Sequence, residues 1–117
     1  MTLSFDEFVS VLKNQLTPEE RDKGVVYAVD KPFAKGQRLE FPGVVLDMPW
    51  EGLLVFTDRD PMANWGHPAR YLLVNGENGE VRSFETRLPP FRQDSDIKWR
   101  VVYRAPGVPD AGMVNLP

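Results

Sequence analysis

The chain has 117 residues, of which 42% are hydrophobic and 26% are charged, an ordinary composition for one globular domain. It contains no cysteine, which excludes a disulfide framework, a thiolate zinc site and a cysteine nucleophile. Its formal net charge of −3 argues against bulk attraction to nucleic acid.

The opening stretch MTLSFDEFVSVLKNQL carries acidic residues early and lacks the basic and then apolar order of a secretory signal. No apolar run approaches the roughly 20 residues that a helix needs to cross a bilayer. We therefore expect a cytoplasmic protein without a membrane partner.

Residues 4–16 predict an amphipathic helix. Ser4 and Glu7 form the capping-box pattern S-x-x-E, in which each residue binds the backbone N–H of the other. The apolar side chains that follow recur at helical spacing, which predicts one buried stripe: Phe5, Phe8, Val9, Leu12 and Leu16. We expect this stripe to pack on the protein's own sheet.

The next segment, 17–24, repeats the same start and stop signals over a shorter length. Thr17 and Glu20 form a second capping box, and Pro18 occupies the first helical position. Gly24 is placed to end the helix. One or two further turns of helix are predicted here.

From Gly24 onward the residue types favour β-structure. Strands are predicted over 24–30, 44–48, 53–59, 70–75, 80–88 and 97–105, while 36–41 fits either a short strand or a loop. The segments 53–59 and 70–75 are apolar almost throughout, which is typical of central strands covered on both faces. GENG at 76–79 provides the glycine and asparagine residues that a hairpin turn needs.

The last predicted strand alternates apolar and basic residues. Ile97, Trp99, Val101 and Tyr103 alternate with Lys98, Arg100, Val102 and Arg104, which predicts an apolar face and a largely cationic one. Together with Arg82, these cations allow a polyanion-binding hypothesis, although the acidic net charge ranks it last.

The predicted elements indicate an α+β fold. An N-terminal helix would pack on a mainly antiparallel, curved sheet of about five strands, because the connections are too short for parallel crossovers. A cystatin-like layout fits this order, and a small, partly open barrel is the alternative. One domain is predicted over 1–105, followed by an irregular tail over 106–117 that is rich in proline and glycine.

The segment DRDPMANWGHPARY at 58–71 holds the only histidine of the chain, His67. Asp58 and Asp60 lie two residues apart, so their carboxylates point to one side while a strand lasts. A zinc site would need further nitrogen or sulfur ligands, and the chain offers neither another histidine nor a cysteine. No nucleotide-binding glycine motif is present either, so we predict neither a metal nor a cofactor.

Two functions rank above polyanion binding. The first is a non-catalytic protein-interaction module (an accessory, inhibitor or immunity-like protein) that binds through Trp65, His67 and Arg70 of the loop at 58–71, and through Trp50 in the predicted turn at 49–52. The alternative is a small hydrolase or lyase in which His67 is the base and Asp58 or Asp60 orients it. Since residues with obvious catalytic chemistry are sparse, we favour a binding protein over an enzyme.

Overall fold

A computed structural model describes residues 3–29, 31–61, 66–90 and 97–108. The elements in chain order are α1 (Phe5–Gln15), α2 (Pro18–Lys23), β1 (Val25–Val29), β2 (Arg38–Phe41), β3 (Val44–Asp47), β4 (Gly52–Asp58), β5 (Ala69–Asn75), β6 (Val81–Thr86) and β7 (Trp99–Arg104). The predicted α+β class is confirmed, and the sheet is open rather than closed into a barrel.

Both predicted capping boxes are present. The Ser4 hydroxyl accepts the Glu7 N–H at 3.1 Å, and the Glu7 carboxylate accepts the Ser4 N–H at 3.0 Å. Thr17 and Glu20 repeat this exchange at the start of α2. Gly24 donates its N–H to the Glu20 carbonyl at 2.9 Å, which ends α2 where the sequence predicted.

The five-stranded sheet has the order β6-β5-β4-β1-β7, and each strand runs antiparallel to its neighbours. β4 is buried along its whole length, and β5 is buried except at its last residue. Their predicted central position is therefore confirmed. The hairpin of β2 and β3 forms a separate two-stranded sheet.

The sheet has two covered faces, which we call the helix face and the hairpin face. On the helix face, Phe8 and Leu12 of α1 and Leu16, which directly follows this helix, pack into one core. The sheet contributes to this core Val26, Ala28, Leu53, Val55, Leu72 and Val74. On the hairpin face, the β2–β3 hairpin covers a second core that includes Leu39, Phe41, Leu46, Met48, Tyr27, Phe56, Tyr71 and Leu73. The chain therefore forms three layers, with the sheet in the middle.

The predicted alternation of β7 is wrong after Val101, because the strand contains a bulge. Val101 lies opposite Tyr27, and Tyr103 lies opposite Val26, so one extra residue is accommodated between them. As a result, Trp99 packs against the hairpin-face core and Tyr103 against the helix-face core. The apolar residues of β7 are therefore divided between the two faces.

Residues 109–117, most of the predicted tail, lie outside the described residues, so the boundary at 105 stays a prediction. The start of that segment turns, with the Val108 N–H donating to the Ala105 carbonyl at 3.2 Å. Within the described ranges, neither helix has the length and apolar character required to span a membrane.

Candidate functional site at the end of the central strands

Asp58 and His67, predicted from the sequence as partners, lie in direct contact. Asp58 is the last residue of β4 and pairs with Val25 of β1 and Ala69 of β5. Its side chain is only 4% exposed, and its Oδ1 atom lies 2.7 Å from Nε2 of His67. When His67 is protonated, this contact is a charge-assisted hydrogen bond, which is stronger than a neutral one.

The electrostatics of Asp58 follow from its position. Burial raises the pKa of Asp58, and hydrogen bonds from His67 and from the backbone of Asp60 oppose this rise without cancelling it. Burial also raises the pKa of Tyr27, and the negative charge of Asp58 adds to that effect. A negative charge on the buried Asp58 side chain is costly, so the hydrogen bonds from His67 and from the backbone of Asp60 are needed to stabilise its ionised form.

The structure distinguishes between the two predicted aspartates. Asp60 donates its backbone N–H to Oδ1 of Asp58 at 3.0 Å, while the residue itself is exposed. This is an Asx-type turn, in which a carboxylate at a strand end accepts the N–H two residues later. Asp58 is therefore the carboxylate that orients His67, and Asp60 helps to orient Asp58.

A second contact holds Gly66, the residue before His67, at the same end of the loop between β4 and β5. Gly66 donates its N–H to the carbonyl of Arg87 at 3.1 Å, and Arg87 Nη1 donates to the carbonyl of Gly66 at 2.9 Å. Gly66 has φ 105°, a backbone conformation that glycine adopts without steric cost. We call this contact and the Asp58–His67 contact the two loop clamps. Trp65, predicted as a binding residue, lies outside the described residues.

Arg70, also predicted as a binding residue, lies on the helix face and is 11% exposed at its side chain. Its Nη2 atom lies 2.7 Å from Oε1 of Glu20, and its Nε atom lies 2.8 Å from Oε2 of the same carboxylate. It also donates to the Gln15 carbonyl at 2.6 Å. The structure thus shows Arg70 joining the two helices to the sheet, and its role in binding a partner stays a prediction.

Glu20 is the centre of an ion-pair network that the sequence did not reveal. Arg59 Nε lies 3.0 Å from its Oε2 atom, and the same guanidinium binds Glu85 at 2.8 and 2.9 Å. Burial raises the pKa of Glu20, but hydrogen bonds from Arg70, the Thr17 N–H and Arg59 outweigh it and hold that pKa below its usual value. The buried carboxylate is therefore ionised at neutral pH.

Only half of the role of Glu20 could be inferred from its neighbours in the sequence. The capping box indicated its bond to Thr17, whereas its two arginine partners lie 39 and 50 residues away along the chain. The one local signal for the network was a pair of arginines, Arg59 and Arg70, that flank the ends of two apolar strands. Such a pattern does not specify a partner.

Trp50 is distant from the loop. It precedes β4, whereas Asp58 ends that strand, so the seven residues of β4 separate them by roughly 20 Å. Trp50 packs against the hairpin-face core, and the guanidinium of Arg82 lies 5.2 Å from its ring centroid. Trp50 and His67 therefore belong to opposite ends of the sheet, and a binding role for Trp50 stays a prediction.

The cations of the polyanion hypothesis are also separated. Arg82 lies on β6 and Arg100 on β7, which are the two opposite edges of the sheet. Arg100 lies 4.3 Å from the ring centroid of Phe5 and therefore covers α1. The bulge moves Arg104 to the other face, opposite Val25. Arg82, Arg100 and Arg104 do not form one cationic surface.

Across the described ranges, no group of three or more acidic or histidine side chains is arranged to hold a metal ion. Comparison of the chain with protein-family models, curated proteins and solved structures finds no match. The two loop clamps and the residues around them are therefore the features from which a function is inferred.

Proposed function

We propose that the protein is a non-catalytic interaction module that binds another protein through the loop between β4 and β5. The two loop clamps carry this proposal, because they tie the C-terminal end of the loop, at His67 and Gly66, to Asp58 at the end of β4 and to Arg87 after β6. A loop restrained before binding loses less conformational entropy when a partner docks. Recognition residues are commonly placed on such loops above a rigid scaffold.

The composition of the loop supports the same proposal. The loop contains Trp65 and two prolines, Pro61 and Pro68, and aromatic residues contribute strongly to the binding energy of protein interfaces. Proline restricts the unbound chain, which again lowers the entropic cost of docking. In this proposal Trp65 is the anchor and His67 has a positioning role beside it. An accessory, inhibitor or immunity-like protein acting in the cytoplasm would use a loop of this kind.

Site-specific photo-crosslinking tests this function. A photoreactive phenylalanine analogue in place of Trp65 should give one adduct of defined mass in an extract of the source cells. The same analogue in place of Val45, an exposed residue of the distant hairpin, is the matched control and should give none. Competition by the unmodified protein should remove the adduct, and Trp65→Ala should compete at least tenfold less well. Absence of any adduct at position 65 would contradict the proposal.

The short contact between Asp58 and His67 favours the hydrolase or lyase as a second candidate. A buried carboxylate that binds one ring nitrogen fixes the orientation and tautomer of a histidine, as a general base requires. This candidate predicts turnover of an ester or elimination substrate that His67→Ala abolishes and Asp58→Asn strongly reduces. Turnover that both variants retain would rule out this enzyme candidate. Turnover that both variants lose would support the enzyme in place of the interaction module.

A further inference from the structure

The two edges of the five-stranded sheet differ in how they are protected against pairing with another strand. β7 carries a bulge, and Arg100 and Arg104 project from it, both of which discourage strand addition. β6 has an unbroken register with β5 over its whole length and contains no proline. Within the described ranges, no strand pairs with the outer side of β6.

The hydrogen-bonding phase shows which backbone groups of β6 point outward. Asn75 donates its N–H to the directly opposite Glu80 carbonyl at 2.7 Å, which marks this pair as hydrogen-bonded. Because hydrogen-bonded and non-hydrogen-bonded pairs alternate in an antiparallel ladder, Arg82, Phe84 and Thr86 direct their N–H and C=O groups to β5. The backbone groups of Val81, Ser83 and Glu85 therefore point away from the sheet, available to a further strand.

We propose that β6 pairs antiparallel with β6 of a second copy of this chain, about a two-fold axis at Phe84. The axis would place the two Phe84 side chains opposite each other, at a non-hydrogen-bonded position. Ser83 of each copy would exchange backbone hydrogen bonds with Glu85 of the other. The two five-stranded sheets would then form one continuous sheet.

The residues of β6 are complementary to themselves in this register. Arg82 would face Thr86 of the other copy, and Glu85 would face Ser83, so each charge meets a hydroxyl and no like charges oppose each other. Centring the axis on Arg82 instead would place two guanidinium groups opposite each other. Arg59 already binds Glu85 through two hydrogen bonds, which reduces the repulsive field of that carboxylate at the edge.

An aromatic row leads across the sheet to this edge. Tyr27, Phe56, Tyr71 and Phe84 are direct cross-strand neighbours, with ring centroids 6.3 Å apart for Tyr27 and Phe56 and 5.3 Å apart for Phe56 and Tyr71. The row is buried up to Tyr71, but Phe84 is 39% exposed. A second Phe84 would continue the row and remove this ring from water, since aromatic cross-strand pairs stabilise sheets.

Sedimentation equilibrium on the full chain tests the pairing. The protein should show a reversible monomer–dimer equilibrium with twice the chain mass as its upper limit. Ser83→Pro removes only an outward N–H and should raise the dimer dissociation constant about thirtyfold, because each copy loses one donor at the interface. Ser83→Ala keeps that donor and loses only the hydroxyl that faces Glu85 of the other copy, so it should raise the constant no more than about fivefold. A monomer at every accessible concentration would overturn the proposal, as would open-ended growth beyond the dimer.

Side-chain variants separate this edge from the other one. Phe84→Lys should abolish the dimer, whereas Val101→Lys, at a β7 position with 40% exposure, should not change it. Equal effects of the two variants would contradict pairing through β6. Circular dichroism of each variant shows whether the fold is retained.

The register can be tested with single thiols, because the chain has no cysteine of its own. Under mild oxidation, Phe84→Cys should form a covalent dimer much faster than Ser83→Cys or Val101→Cys, since only position 84 faces itself across the axis. Faster reaction at position 83 would overturn the register at Phe84. The pairing does not use the loop between β4 and β5, so it goes beyond the proposed function, and either proposal can fail alone.

Discussion

At the residue scale, the buried carboxylate of Glu20 has two different structural roles. Glu20 closes the capping box of α2, and it also neutralises two arginines that arrive from β5 and from the end of β4. Only the pairing with the arginines requires the ionised form, because a neutral glutamine can also close a capping box. Hydrogen bonds outweigh burial in setting the pKa of this group and so keep it ionised. Without the negative charge of Glu20, the guanidinium groups of Arg59 and Arg70 would lie on the covered helix face without the carboxylate that balances their charge.

We therefore expect Glu20→Gln to lower the free energy of unfolding by about 3 kcal/mol at neutral pH, because breaking a buried ion pair leaves an uncompensated charge. Urea unfolding followed by tryptophan fluorescence measures this loss. Glu85→Gln is the matched control, since Glu85 binds the same Arg59 but is exposed at the surface. It should cost less than about 1 kcal/mol. Equal losses for the two variants would contradict the central role of Glu20.

The same substitution should change how stability depends on pH. The pKa of Glu20 is lower in the folded chain than in the unfolded one, so the unfolded chain binds the proton more readily. The contribution of Glu20 is therefore complete above the unfolded value and is lost as the pH falls through the folded value. The difference between the native protein and Glu20→Gln should be largest at neutral pH and should shrink below about pH 4. A difference that grows on acidification would contradict this assignment.

At the scale of the elements, Gly52 allows the start of β4 to lie close to the backbone of β5. A β-carbon at this position would overlap the backbone carbonyl oxygen of Val74. Gly52 also exchanges two backbone hydrogen bonds with Phe33, at 2.8 and 3.1 Å, and so attaches the segment before the β2–β3 hairpin to the sheet. The lack of a side chain at Gly52 thus allows the strand pairing, and its backbone groups attach the hairpin segment.

Gly52→Ala should therefore destabilise the fold by about 3 kcal/mol or more, because the obstructing atom is backbone and cannot rotate away. Gly36→Ala is the matched control: its added methyl group would meet no atom within 4 Å, and only its positive φ of 84° opposes the change. Its cost should be about 1 kcal/mol. Thermal unfolding of both variants measures the contrast, and a smaller effect at Gly52 than at Gly36 would contradict the close approach.

At the scale of the whole molecule, the three layers are not equally attached to one another. β4 and β5 pair with neighbours on both sides and are covered on both faces. Within the described ranges, the β2–β3 hairpin pairs only with itself, and half of the residues of each strand are exposed. Among the described residues, its connection to the sheet consists of buried side chains and the bridge between Phe33 and Gly52.

Native-state hydrogen exchange should therefore separate these layers. Amides of β4 and β5 should exchange only through global unfolding, whereas amides of β2 and β3 should exchange through a local opening of lower free energy. Low concentrations of urea should accelerate the hydrogen exchange of the β4 and β5 amides and leave that of the β2 and β3 amides almost unchanged. A common exchange free energy for all four strands would show that the hairpin and the sheet unfold as one unit.

The features that could be predicted before the structure was known are those set by residues close together in the chain. The capping boxes at Ser4 and Thr17, the turn GENG and the continuous burial of β4 and β5 all depend on neighbours within a few positions. Periodicity also placed the stripe of α1 on a sheet. Local sterics and hydrogen bonding decide these outcomes, so the order of the residues suffices to infer them.

The tertiary structure alone decided which distant residues meet. It selected Asp58 over Asp60 as the partner of His67, directed Arg70 to Glu20 and placed Trp50 at the other end of the sheet. It also introduced the bulge that divides the residues of β7 between two faces. Each outcome depends on strand order and register, which arise from packing three layers together and have no signal within a single segment.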